Sequence, residues 1–374
     1  MKKIEAVNSS ALLASFIDFG HDLYSNNKNY VPELFIAQRD LLSPGKHPFH
    51  EHSQVQLFLA YDDNKKIIGR IAAILNNNHN TFNKANDGFF GFFDCINDDE
   101  TAALLFGATE KWLKEKGVQS IIGPVNLSTN ETCALLIEGF DTPPVAMMTY
   151  NEPYYKTLIE KNGFHKKMDL IAYHFVVAER DERRLKTVDQ IKERLEKRGI
   201  IFRPINLKKF KEETDQIREI YNHAWDKNLG FVPMTENEFK YLAKDLKMIL
   251  DKDFCVVAEH NGKMVGFSLA IPDVNHILKT IKKGRLFPTG IFKLLFQRKS
   301  IKRIRIITLG VVEGYRKMGI ETVFYADIIK QVVKKGITEA EASWVLEENF
   351  LMNKAIQDIN GKPYKKYRIF EKQL

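Results

Sequence analysis

The stretch Leu309-Gly310-Val311-Val312-Glu313-Gly314-Tyr315-Arg316-Lys317-Met318-Gly319-Ile320-Glu321-Thr322 decides how this chain is read. Upstream of it, Ile304 to Val312 is largely apolar, the pattern of a buried strand. Downstream, apolar residues recur at helical spacing to about Lys335, so the spacing predicts strand, tight turn and amphipathic helix in succession. The first turn of a helix leaves four backbone N–H groups without intrahelical partners, and the macrodipole adds partial positive charge there. An Arg-x-x-Gly turn at that point makes a phosphate cradle. Gly319 lets the backbone approach a ligand closely, and Arg316 adds a fixed cation. Glu321 is discordant, because a carboxylate in the first turn opposes an anionic ligand.

The turn stands in the second of two copies of one pattern. At a constant shift in numbering, Ile4 aligns with Phe202, Ala60 with Ala258, Asn151 with Asn349, Gly163 with Gly361 and Ile171 with Ile369. The segments 57–69 and 255–266 both read as strand–turn–strand hairpins, and Asn261-Gly262 is a favoured two-residue turn. Each half runs strand, helix, helix, hairpin, long strand, helix, strand, helix, strand. That order predicts an α+β protein with mixed, mostly antiparallel sheets flanked by helices. The second copy carries a basic insertion after its third strand, and the first carries Val125 to Tyr150 after its fifth. The expected domains are 1–179, a charged helical linker 180–199 stopped by Gly199, and 200–374. In the first copy the helix after the long strand opens with Asn97-Asp98-Asp99-Glu100. Three carboxylates suit capping and repel phosphate, so the first copy is not expected to bind a diphosphate.

Composition narrows the class. The chain has 374 residues, 44% hydrophobic and 28% charged, which is globular and large enough for two cores. No apolar run is long enough to span a bilayer, and Met1-Lys-Lys-Ile lacks the apolar stretch of a signal peptide. Cys95, Cys133 and Cys255 fit neither a disulfide framework nor a zinc spacing, which points to a reducing, cytoplasmic setting. The net charge of +8 is local, since ten Lys or Arg residues and no acid lie between His276 and Arg305.

The Arg316–Thr322 turn resembles the pyrophosphate loop of the GNAT N-acetyltransferase superfamily, with Glu321 in place of a small residue. The doubled element order looks like two tandem GNAT domains. Across nearly the whole chain, Gly123-Pro-Val-Asn-Leu-Ser-Thr-Asn-Glu131, Glu138-Gly-Phe-Asp-Thr-Pro-Pro144, Trp225 with Gly230-Phe-Val-Pro233, and Ser343-Trp-Val-Leu-Glu-Glu-Asn349 resemble a bacterial tandem-GNAT family. The resemblance implies an acyltransferase, an N-acetyltransferase type, using acetyl-CoA or another acyl-CoA and an amine acceptor, small-molecule or lipid-like. It places the acyl donor on Leu309, Gly310, Val311, Val312, Arg316, Lys317, Met318, Gly319, Ile320, Glu321 and Thr322, with Asn349 and Asn353 beside the pantetheine arm. Asn349 equally suits a helix N-cap. In the superfamily a tyrosine often protonates the leaving thiolate four residues before the terminal glycine; here Gln357 stands there, and Ile159 in the first half.

Transfer to an amine needs a base and an acid. Glu347 and Tyr364, nearby on the last strand, are the catalytic candidates, with Glu347 as the base set against the reading of Glu347-Glu348 as a solvated carboxylate pair. Two alternatives to a CoA-dependent enzyme stay open: a Fem-like transferase drawing on aminoacyl-tRNA, and a non-catalytic acyl-CoA-binding module. The basic segment 276–305 suits a lid, or docking on an anionic membrane surface or acidic carrier; nucleic acid is the poorest fit because stacking aromatics are missing. His47-Pro-Phe-His50-Glu-His52 has no standard metal spacing, so no metal is assigned. Ser128-Thr-Asn-Glu131 reads as a capping box opening a helix.

Overall fold

A computed structural model of the chain describes residues 1–225 and 230–374. The side chain of Trp225, quoted above, lies outside the described residues. The first repeat runs β1 (Lys3–Ala6), α1 (Ser10–Leu23), α2 (Phe35–Leu41), β2 (Gln54–Tyr61) and β3 (Ile67–Leu75). It continues through α3 (Asn77–Asn83), β4 (Asp87–Cys95), α4 (Asp99–Lys114), β5 (Ser120–Gly123), β6 (Leu135–Glu138), α5 (Tyr155–Lys161) and β7 (His165–Val176). The charged helix α6 (Glu182–Glu196) follows, with Gly199 at φ +85° beyond its end. The second repeat begins with β8 (Ile200–Pro204), α7 (Phe210–Trp225), α8 (Glu236–Ile249), β9 (Cys255–His260) and β10 (Lys263–Pro272). Its insertion carries α9 (Asn275–Leu278) and α10 (Gly290–Phe296). Then come β11 (Arg303–Val311), α11 (Ile320–Lys334), β12 (Glu339–Leu346), α12 (Phe350–Asp358) and β13 (Lys362–Gln373). The order matches the doubled pattern, and the fold is α+β with mixed sheets flanked by helices.

Local chemistry explains the boundaries. Ser9 caps α1 and Asp98 caps α4 with their side-chain oxygens, and Thr235 with Glu238 forms a capping box on α8. Asn261 and Gly262 take φ +51° and +75°, the left-handed pair that a tight hairpin needs. Ser128-Thr-Asn-Glu131 does not open a helix. The Ser128 hydroxyl accepts Asn130 N–H at 3.1 Å, and Glu131 N–H donates to the Ser128 carbonyl at 3.1 Å. This local turn competes with helix formation, and the chain then returns so that Cys133 bridges Val125.

Two compact units form, and they cross the repeat boundary. Unit 1 is Met1–Leu170, Asn275–Arg298 and Lys365–Leu374; unit 2 is Ile171–Val274 and Lys299–Tyr364. The bounds expected from the repeat, at 179 and 199, follow sequence duplication, whereas the compact units follow strand pairing. In unit 1, β1, β2, β3 and β4 are successive antiparallel neighbours and β4 meets β5 in parallel. The last residues of the chain then pair with β5: Phe370–Gln373 lie antiparallel to Gly123–Ser120. In unit 2, β8, β9, β10 and β11 form the antiparallel set and β11 meets β12 in parallel.

The final strand of each repeat is therefore exchanged. Phe370, from the second repeat, is fully buried among Phe90, Phe106 and Phe164 of the first. Tyr173, from the first repeat, is 1% exposed in the unit 2 core with Val345 and Ile356. Within unit 1, Arg368 grips Asp169 through two bonds of 2.7 and 2.9 Å. The basic insertion also crosses over. Arg285 pairs with Asp18 on α1, and its guanidinium lies 3.4 Å from the Phe35 ring centroid on α2. Its attachments thus belong to unit 1, while the glycine turn belongs to unit 2.

Replacing Phe370 by Ala should destabilise unit 1 by about 3–5 kcal/mol, the cost of emptying a buried aromatic site. Hydrogen exchange should show the loss in β4 and β5, more than two hundred residues away in sequence, and a loss confined to unit 2 would refute the exchange. Desolvation raises the Asp169 carboxyl, but Arg368 and Lys166 outweigh it and hold its pKa below the ordinary value. The stability from this pair should be present above the ordinary carboxylate range and be lost as pH falls through the folded value. Arg368→Leu should flatten that acid limb in urea unfolding.

Candidate functional site

Parallel pairing between β11 and β12 covers only Arg303–Ile306 against Glu339–Ala342. β11 runs on to Val311 and β12 to Leu346, so beyond residues 306 and 342 the pairing ends while both strands continue. β11 stays held on its other edge, where Val311–Thr308 pair with Gly266–Leu269. One edge of β11 is thus free of its strand partner, and Ile307, Thr308 and Leu309 turn from buried to half-buried along it. Two polar atoms mark the opening. Thr308 Oγ1 and Trp344 Nε1 are shut off from solvent with no hydrogen-bond partner among the described residues. In a continued register residue 308 would stand opposite 344. A buried polar atom left unpaired costs about 1–3 kcal/mol, so a partner from outside the chain would be favourable at either atom.

A buried network holds the closed end. Arg305 donates from Nε to Ser343 Oγ at 3.0 Å and from Nη2 to the Ser343 carbonyl at 3.2 Å. Ser343 donates to one oxygen of Glu341 at 2.6 Å, and Tyr364 donates its O–H to the other. Arg305 is 2% exposed and Glu341 fully buried, so each charge is answered inside the protein. Arg303 is paired with Asp273 at 2.7 Å beside it.

The turn predicted to cradle phosphate leads from β11 into α11. Gly319 is the residue before that helix at φ +99°, and no side chain caps it. Arg316 is exposed but folds back, donating from Nε to the Val311 carbonyl at 3.1 Å. Lys317 and Thr322 are exposed, Met318 packs on the unit 2 core and Ile320 is fully buried. The Val312 N–H is already bonded to the Val265 carbonyl at 2.9 Å, which removes it as a donor to ligand. Gly310 and Val311 are buried. Gly319 has a second reason to be glycine: a Cβ there would lie 2.9 Å from Ile191 Cγ2 on α6. Lys192 to Asp327 at 2.7 Å, and Lys330 to Asp189, clamp α6 against α11. Glu321 is half-buried in the first turn; burial and then its charge push the Tyr325 hydroxyl up to about 12.

The other predicted residues divide. Asn349 caps α12, accepting Met352 N–H at 3.2 Å. Asn353 donates to the carbonyls of Leu346 at 2.9 Å and Glu347 at 3.2 Å, tying the end of β12 to α12. Its Oδ1 accepts the Tyr173 hydroxyl at 2.9 Å. Tyr364 is bonded to Glu341 within β12, whereas Glu347 stands just beyond the end of that strand. Sequence reasoning missed Tyr173, whose hydroxyl also lies within hydrogen-bonding reach of Gln357. Burial raises its pKa, with Gln357 opposing, and keeps the hydroxyl protonated. Only knowledge of the exchanged strand would have found it.

The equivalent gap in unit 1 is plugged by its own chain. β4 and β5 pair only over Asp87–Phe89 with Ser120–Ile122. Beyond them Val125 N–H donates to the Phe90 carbonyl at 2.8 Å, and Asn126 Oδ1 accepts Phe92 N–H at 2.8 Å. A Cβ on Gly91 would stand 2.2 Å from the Val125 carbonyl oxygen, so the fit is close. Asp99 and Glu100 occupy the first turn of α4. The histidines of the 47–52 cluster are each engaged: His47 with Phe49 N–H at 3.3 Å, His50 with the Leu41 carbonyl at 2.9 Å, His52 with Ser53 Oγ at 2.6 Å.

No protein-family model matches the chain. It is 36% identical over 370 residues to Protein YghO of Escherichia coli (strain K12), covering 97% of this chain and 93% of that protein. It is 33% identical over 379 residues to the bacterial ceramide synthase of Caulobacter vibrioides (strain NA1000 / CB15N), covering 98% and 96%. Among solved structures, a tandem GNAT protein from the clavulanic acid biosynthesis pathway superposes with a TM-score of 0.59 at 11% identity, over 99% of this chain and 98% of that one. At that identity the match shows the fold: GNAT units in tandem.

Gly319→Ala should cost about 1–2 kcal/mol from the left-handed backbone alone, and more from the clash with Ile191. Adding Ile191→Ala should return the steric part. If urea unfolding shows the two substitutions to be additive, α6 does not crowd the glycine.

Proposed function

Because the chain belongs to the GNAT-fold family that includes Protein YghO of Escherichia coli and the bacterial ceramide synthase of Caulobacter vibrioides, we propose that it is an acyl-CoA N-acyltransferase with a lipid-like amine acceptor. The observation that carries this is the open edge of β11 opposite β12, with Thr308 Oγ1 and Trp344 Nε1 unpartnered beside it. A pantetheine arm is extended, carries two amides and can complete a strand edge, as backbone would. The diphosphate would then meet the Gly319 turn and the first turn of α11. Ceramide is the amide of a fatty acid and a long-chain amino alcohol, and that product class, carried over, makes the acceptor a lipid-like amine.

In this mechanism the acceptor nitrogen attacks the thioester carbonyl, the C–N bond forms and the C–S bond breaks. Backbone N–H groups of the unpaired β11 edge stabilise the oxyanion. Glu347, half-buried just beyond β12, takes the amine proton. Tyr173 gives a proton to the departing thiolate, from the place beside Gln357. Tyr364 anchors Glu341 and so positions β12.

A second reading, a non-catalytic acyl-CoA-binding module, is favoured by Glu321 in the first turn and by Gln357. Calorimetry with CoA and palmitoyl-CoA, and thiol release with long-chain amines, separate the two. The proposal expects micromolar palmitoyl-CoA binding that Thr308→Trp abolishes by filling the gap, and amine-dependent thiol release. Tyr173→Phe should lower kcat by about 100-fold with little change in the KM for acyl-CoA. Binding without release would leave the module reading, and no binding would end both. Product formed only with charged tRNA would instead favour a Fem-like transferase.

A further inference from the structure

The proposed acyl transfer assigns no role to the insertion that crosses into unit 1. Its root is bonded down. Asn275 donates to the Pro144 carbonyl at 2.9 Å, Lys283 pairs with Asp22 at 2.7 Å and Arg285 with Asp18 at 2.8 Å. A Cβ on Gly284 would fall 1.8 Å from the Glu33 carbonyl oxygen, so the backbone is pressed against the segment before α2. Lys293 donates to the Thr280 carbonyl at 2.7 Å, which ties α10 to that root.

The tip is different. Phe287 is 77% exposed, Phe292 58%, Leu295 58% and Phe296 77%, within ten successive residues. Phe292 and Phe296, one helical turn apart, present parallel rings with centroids 6.5 Å apart. A soluble surface rarely gathers four such side chains. No Asp or Glu occurs between Asp273 and Glu313, and Lys279, Lys282 and Arg298 are exposed around the apolar tip. No helix among the described residues is long and apolar enough to cross a membrane.

We propose that this tip docks on a bilayer surface rich in anionic lipid, with the four apolar side chains in the interface and the surrounding cations on the headgroups. Charge selects this occupant. A second copy seated on the same patch would bring like charge against like, since a two-fold interface is self-complementary. Anionic headgroups answer the lysines, and acyl chains receive the phenylalanines. The rigid mounting means that docking needs no ordering of the insertion. The inference stands apart from the acyl-transfer proposal, though a lipid acceptor would make docking useful.

The test is sedimentation of the full chain with vesicles of phosphatidylcholine alone and of phosphatidylcholine mixed with phosphatidylglycerol. Binding is expected to the mixed vesicles, weakening as salt is raised. Phe292→Ser with Phe296→Ser should lower partitioning by about tenfold or more, with palmitoyl-CoA calorimetry unchanged because both side chains lie in solvent. Equal partitioning of wild type and double variant overturns the proposal. So does absence of vesicle binding, and if the chain then binds an acidic acyl carrier protein through the same two residues, the surface is a carrier dock. The calorimetric arm reports on acyl-CoA binding separately, so failure of one proposal is not mistaken for failure of the other.

Discussion

Unit 1 depends on a short ladder in which the last residues of the chain, Phe370–Gln373, pair with Ser120–Gly123. β5 already has β4 on one side, and an unpaired second edge would leave backbone donors and acceptors to be satisfied elsewhere. The C-terminal strand supplies them and carries Phe370 into an aromatic core made otherwise by the first repeat. In return, the end of β7 places Tyr173 in the core of unit 2. Neither repeat is therefore complete from its own sequence, and duplication has produced interdependence where two independent copies would have been simpler.

The same element then has two opposite fates. In both repeats a parallel pair opens after three or four residues, exposing a strand edge that wants a partner. Unit 1 satisfies it internally, with Val125 and Asn126 bonded to Phe90 and Phe92. Unit 2 leaves it open, with Thr308 and Trp344 unpaired beside it and a glycine turn at the start of the next helix. A gap filled by its own chain cannot also admit a ligand of that shape. The asymmetry between the two strand-to-helix turns seen in the sequence is thus matched by a deeper one in strand edges.

Much of this was legible in residues. Gly319, Asn261-Gly262 and the apolar run to Val312 located a strand, a turn and a hairpin because each obeys local backbone rules. The repeated order of elements gave the fold class for the same reason. The exchange of β7 and β13 was not legible, because an apolar alternating strand fits either neighbour equally well and nothing local says which. Ser128-Thr-Asn-Glu131 misled through chemistry shared by caps and turns. At the site, Asn349 takes the cap position that its residue type allowed beside the pantetheine role, while Tyr173 and the buried Arg305–Ser343–Glu341 network became visible only once distant strands were set side by side.

The C-terminal pairing has a consequence for how the molecule comes into being. A chain made from its N-terminus presents the first repeat early, with β5 awaiting a strand that is synthesised more than two hundred residues later. Until residues 370–373 emerge, the first half must persist as an incomplete sheet with one edge available to any other chain. Folding of unit 1 thereby waits on synthesis of β13, and a chain cut short before residue 370 would lack the strand that closes β5.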